Sequence, residues 1–160
     1  MNIVKIFLAS SAEVKHERVL FADVLWNFDE ARDDIKFNLV KWEYLDASMG
    51  PKHKQDEYND ELKTCDIVFV VFWRRFGEYT DEELQMALNG HKINGFPRLI
   101  VVMFKSDGQP INEDLLSFKE SLKPEPGIHI HEFSTDEEYG SIIRSELLSY
   151  IESSEAGKNS

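Results

Sequence analysis

Short apolar runs rich in branched residues alternate along the chain with longer stretches in which apolar positions recur every three to four residues. The first run, "IVKIFLAS" (Ile3–Ser10), predicts a strand. A helix is predicted from about Ala12 to Arg32, with Val14, Leu20, Phe21, Val24, Leu25 and Phe28 making its buried stripe. Ile35–Glu43 alternates as a half-buried strand does, and a polar loop over Tyr44–Gln55 and a short helix over Asp56–Lys63 follow. "DIVFVVFW" (Asp66–Trp73) is continuously apolar, the pattern of a central parallel strand covered on both faces. The remaining pattern gives a helix opening near Thr80, a strand over Arg98–Phe104 and a helix over Glu113–Leu122. A last strand, Ile128–Phe133, precedes a helix from about Asp136 to Glu152.

Strand-then-helix units repeated in this way predict an α/β fold: a five-stranded parallel sheet with helices on both faces, joined by right-handed crossovers. The expected strand order is the flavodoxin-like 2-1-3-4-5, in which ligands bind at the carboxyl ends of strands one and three, where the winding reverses. One domain is expected over residues 1–153. The polar residues 154–160, the end of "SSEAGKNS", read as a disordered tail or the start of a linker.

Composition narrows the classes. A domain of 160 residues buries about 70% of its unfolded surface, enough for a core without staples. The lone cysteine, Cys65, excludes an internal disulfide and a cysteine-based zinc site, and reads as a small core residue. No secretory leader is visible and no run approaches the roughly 20 apolar residues of a membrane span, so a cytoplasmic protein without a membrane partner is expected. A formal net charge of −12 argues against direct binding of nucleic acid over a wide face, while leaving room for a small anion at the local pair Arg74–Arg75. No Walker loop, dinucleotide fingerprint or serine elbow is present.

Candidate chemistry gathers at the expected reversal point, where Ser10–Ser11 and Trp73–Arg74–Arg75–Phe76–Gly77 end strands one and three. The chain then enters "EYTDEELQMAL". Thr80 can cap this helix, with Glu83 reaching back in a capping box. On a helical wheel Leu84, Ala87 and Leu88 mark the apolar face, Glu83 lies on its rim and Glu82 nearly opposite, a solvated charge. Glu83 therefore has two accounts, a cap or a carboxylate held at a ligand crevice. Simpler readings accompany the other residues. Ser10-x-x-Glu13 makes a further capping box, Trp42 and Trp73 are packed rims, and Phe76 and Gly77 shape the turn. His129 and His131 face one side of the last strand, where a metal would need a third ligand that the sequence does not offer; they read as a solvated edge. His16, His53 and His91 read as surface histidines.

The pieces "KIFLASS", "AEVKHERVLFADVL", "VKWEYLDASMG", "QDEYNDELKTCDIVFVVFWRRFG" and "TDEELQMAL" resemble, in order and spacing, a TIR domain of the bacterial kind found at the front of immune effector proteins. The resemblance covers Lys5 to about Met103. Enzymatic members cleave NAD+ with a glutamate in the pattern E-hydrophobic-x-x-A-L, which "ELQMAL" matches at Glu83; where they often carry tryptophan four residues earlier, this chain has Tyr79. The resemblance implies an NAD+ glycohydrolase, with NAD+ as substrate and no separate cofactor or metal, acting in antiphage defence. It also implies activation by self-assembly through the loop Tyr44–Gln55 and a fused or partner sensor domain. Arg74 and Arg75 suit the pyrophosphate, Ser10 and Ser11 can add donors at the mouth of the first helix, and Trp42, Phe76 or Tyr79 can stack on a ring. Two alternatives remain open. One is a non-catalytic interaction module; the other is an enzyme like the nucleoside deoxyribosyltransferases, whose T-x-x-E pattern resembles Thr80-x-x-Glu83.

Overall fold

The computed structural model describes residues 2–10, 12–40, 62–74 and 78–158. Strand β3 (Ile67–Phe72) is buried at every position, as its unbroken apolar sequence requires of a strand with a layer on each side. It pairs in parallel with β1 (Asn2–Ser10) and with β4 (Leu99–Lys105). Strands β2 (Ile35–Val40) and β5 (Ile128–Phe133) complete a parallel sheet in the order β2-β1-β3-β4-β5. The flavodoxin-like arrangement is thus realised, with the reversal between β1 and β3.

Alternate strand residues feed two apolar layers. Ile6 and Leu8 of β1, Ile67, Phe69 and Val71 of β3, and Val101 and Met103 of β4 pack under α1 (Lys15–Glu30) and α4 (Asp136–Lys158). Phe7, Ala9, Val68, Val70, Phe72, Val102 and Phe104 face the other way, under α2 (Glu78–Asn94) and α3 (Glu113–Ser121). Asn112 caps α3, its side chain accepting from the Asp114 amide at 2.8 Å.

Several boundaries differ from expectation. The first helix opens as a 3₁₀ turn, Ala12–Val14, and its α-helical part starts at Lys15. Helix α2 begins at Glu78, so Thr80 lies inside the first turn instead of before it. Strand β4 extends one residue past the apolar run, to Lys105. Helix α4 continues to Lys158, through most of the stretch expected as a tail. There Ser154 hydrogen-bonds Tyr150 one turn earlier, and Glu155 and Ala156 are good helix formers. The end of the second predicted strand, the loop Tyr44–Gln55 and nearly all of the predicted helix Asp56–Lys63 lie outside the described residues.

Gly127, ahead of β5, has φ +86°, and a Cβ there would sit 2.5 Å from His91 Cε1. Backbone conformation and close approach both demand glycine. Its carbonyl accepts from the Ile100 amide at 2.7 Å, joining the starts of β4 and β5.

Candidate functional site

Ser10 is buried where β1 ends. Its Oγ accepts from Arg18 Nε at 3.0 Å and its carbonyl from Arg18 Nη2 at 3.3 Å. The expected capping box at Ser10 is not formed. The 3₁₀ turn places Val14 at the N-cap of α1, with no side-chain cap, and leaves Ser10 four residues too early. Glu13 instead accepts the Arg74 amide at 2.7 Å through Oε1, tying the approach to α1 onto the end of β3.

The Arg74 guanidinium lies 4.5 Å from the Trp73 ring centre and donates to Asp107 Oδ2 at 2.7 Å. That hydrogen bond, helped by the Gln109 amide, holds the Asp107 carboxyl below the usual carboxylate range. Lys105 Nζ stands 4.1 Å from the same indole and pairs with Glu17, which is 1% exposed. Tyr139, fully buried on α4, donates its hydroxyl to the Glu17 carbonyl at 3.0 Å; burial, and secondarily the Glu17 charge, pushes its phenol up. Among the described residues the buried Trp73 Nε1 has no hydrogen-bond partner. Trp73 does pack as an apolar rim, against the α1–α4 layer.

On the opposite face of the sheet, Glu83 is 0% exposed. Its helical neighbours Leu84 and Ala87 are buried in the second layer, and α2 packs across β1, β3 and β4. With the helix starting at Glu78, Thr80 lies in its first turn and Glu83 in its second, so Thr80 is not the N-cap that the capping account of Glu83 assumes. A fully buried carboxylate is costly to maintain and calls for specific partners or a specific task.

Ser10, Arg74 and Glu83 all belong to elements meeting at the carboxyl ends of β1 and β3, but not to one face: Ser10 lies under α1, Glu83 under α2. Ser11, Trp42, Arg75 and Phe76 lie outside the described residues, as do the side chains of Tyr79 and Glu82. Sequence reasoning missed Glu17, Arg18 and Lys105. A signal for Glu17 was present, since it interrupts the stripe Val14–Phe21–Val24 at helical spacing. An acid in that position must be buried, and therefore paired.

The histidines of β5 are not a simply solvated edge. His129 Nδ1 and His131 Nε2 each donate to Glu146 of α4, to Oε2 and Oε1 respectively, both at 2.7 Å. The partner comes from a helix that strand periodicity could not register. Among the described residues no group of three His, Cys, Asp or Glu side chains is arranged to hold a metal ion, and no helix is long and apolar enough to cross a membrane. No protein-family model matches the chain, and no curated protein matches it.

Proposed function

We propose that the chain is an NAD+ glycohydrolase of the TIR kind, working in the cytoplasm and switched on by self-assembly in antiphage defence. The observation that carries this reading is the complete burial of Glu83, on the helix that follows β3, beside the sheet's reversal point. Cleavage breaks the bond between ribose C1′ and the nicotinamide nitrogen. The bonding pair leaves with nicotinamide, and water supplies the hydroxyl of ADP-ribose with release of a proton. A cyclised product, in which the adenine attacks in place of water, follows from the same cleavage. The sugar carbon gains oxocarbenium character on the way, as in glycoside hydrolysis. A carboxylate fixed against the ribose stabilises that charge in a site from which water is excluded, a contribution of about 3–4 kcal/mol for a well-aimed group. Arg74 would meet the pyrophosphate by exchanging Asp107 for phosphate oxygens. Tyr79 would supply the aromatic face.

The scaffold reading keeps one observation on its side: Ser10 and Arg74 are already engaged within the chain. The test is incubation of the concentrated protein, with a crowding agent, with NAD+ and separately with a deoxynucleoside plus free base. Nicotinamide release and base exchange are followed for the wild type, Glu83→Gln and Glu82→Gln. Nicotinamide release that vanishes in Glu83→Gln and survives in Glu82→Gln is expected. Equal release from wild type and Glu83→Gln would refute the role of Glu83. Base exchange alone would favour the deoxyribosyltransferase chemistry, and silence with assembly seen by light scattering would favour the scaffold.

A further inference from the structure

Helix α1 presents to solvent a face that its own fold does not use. Phe21, Val24 and Leu25 turn into the layer beneath it. On the other side Val19 is 58% exposed and Trp26 is 67% exposed. Apolar side chains exposed singly are ordinary on a protein surface. These two lie two turns apart on one face, with the small residue Ala22 between them. The same stripe begins at Lys15 and ends at Glu30, both exposed. Along it α1 thus carries a cation, a branched aliphatic, a small residue, an indole and an anion, in that order.

That order is complementary to itself read backwards. Lys15 and Glu30, and likewise Val19 and Trp26, lie at equal distances from a midpoint between Ala22 and Asp23. When two α1 helices pack antiparallel about that midpoint, Val19 of one copy faces Trp26 of the other, and Lys15 faces Glu30. Each pair then occurs twice, as a closed two-fold contact requires. Ala22 sits where the helices cross, and a small side chain there permits close approach. Asp23, also exposed, is the misfit: its two copies flank the axis as like charges.

Other occupants fit less well. A lipid surface favours cations beside an indole, and the neighbours of Trp26 on the outer face, Asp23 and Glu30, are acids. We propose that α1 pairs with α1 of a second copy of this chain, antiparallel and two-fold, through Val19, Trp26 and the Lys15–Glu30 ends. The helix has 16 residues, a length of about 24 Å. One helix pair of that length falls short of the roughly 1,200–2,000 Å2 of a standard interface, so the dimer is weak and reversible. This pairing stands without the NAD+ reading, since it uses neither Glu83 nor the loop Tyr44–Gln55.

The test is sedimentation velocity of the whole chain over a range of concentrations, without a crowding agent. It is run at physiological ionic strength, where a screening length of about 8 Å limits repulsion between copies of net charge −12. Association that stops at the dimer, with Kd of about 100 μM or tighter, is expected. Trp26→Ala, its fold checked by far-UV circular dichroism, should weaken the dimer by about tenfold or more. Lys15→Glu and Glu30→Lys should each weaken it by about tenfold, and the double reversal should restore it. Asp23→Asn should tighten it by about two- to fivefold. A monomer at every concentration, a dimer indifferent to Trp26→Ala, or a double reversal no better than the single ones would each overturn the proposal. So would a monomer that binds phosphatidylcholine vesicles, with or without phosphatidylserine, through Trp26. Failure here leaves the nicotinamide-release assay untouched, and the reverse holds as well.

Discussion

Lys105→Met isolates the cost of leaving Glu17 buried without its counter-charge. Glu17 is 1% exposed, between α1 and the carboxyl ends of the strands, and Lys105 reaches it from the end of β4. Removing one partner of a buried pair costs about 3–5 kcal/mol, because the remaining charge keeps its desolvation penalty and loses its compensation. The cation over the Trp73 ring is lost as well, a further contribution of about 1 kcal/mol. For 160 residues the unfolding entropy is about 0.34 kcal/mol/K, so a loss of about 3 kcal/mol lowers Tm by about 9 °C. That is a large share of a total stability of about 5–15 kcal/mol. The assay is urea unfolding followed by tryptophan fluorescence and far-UV circular dichroism, with wild type, Lys105→Met, Glu17→Leu and the double variant forming a cycle. The double variant, which replaces both charges with apolar groups, is expected to recover to within about 1 kcal/mol of wild type or better. A single-variant cost below about 1 kcal/mol, or a double variant worse than Lys105→Met, would refute the reasoning.

Three further outcomes follow from local geometry. Gly127→Ala forces a side chain into a left-handed conformation and onto His91, and should cost about 2 kcal/mol or more in chemical unfolding, without changing the slope of the transition. Asn112→Ala removes the cap of α3 and should cost about 1 kcal/mol, whereas Asn112→Asp should be close to neutral. The Asp107 carboxyl should titrate by NMR below the ordinary carboxylate value and move back up in Arg74→Gln. Since its folded-state pKa is depressed, the pairing supports the fold above the ordinary value and is lost as pH falls through the folded one.

The strands were readable because their signal is local. The β5 boundaries coincide with those expected, and β3 is buried throughout as its composition requires. Helix starts were harder. A threonine followed three residues later by glutamate is a good cap by sequence, yet α2 begins two residues ahead of Thr80, and Ser10 serves Arg18 instead of an amide. The polar side of the site was the least readable part, because its contacts join residues far apart in the chain: Glu17 with Lys105, Arg74 with Asp107, Glu146 with both histidines. One rule would have found two of the participants. Glu17 and Glu146 each lie on the apolar stripe of a helix, and both are buried, as is Glu83 at the rim of another.

Ala9 and Ser10, like Phe72 and Trp73, are neighbours in sequence that serve opposite sides of the molecule. Adding or deleting a single residue within β1 or β3 would exchange the two sets wholesale, turning every inward contact of one layer toward the other. Substitutions can drift at either side separately. The spacing of these two strands cannot, so length variation among any descendants of this chain should be confined to the segments that connect them.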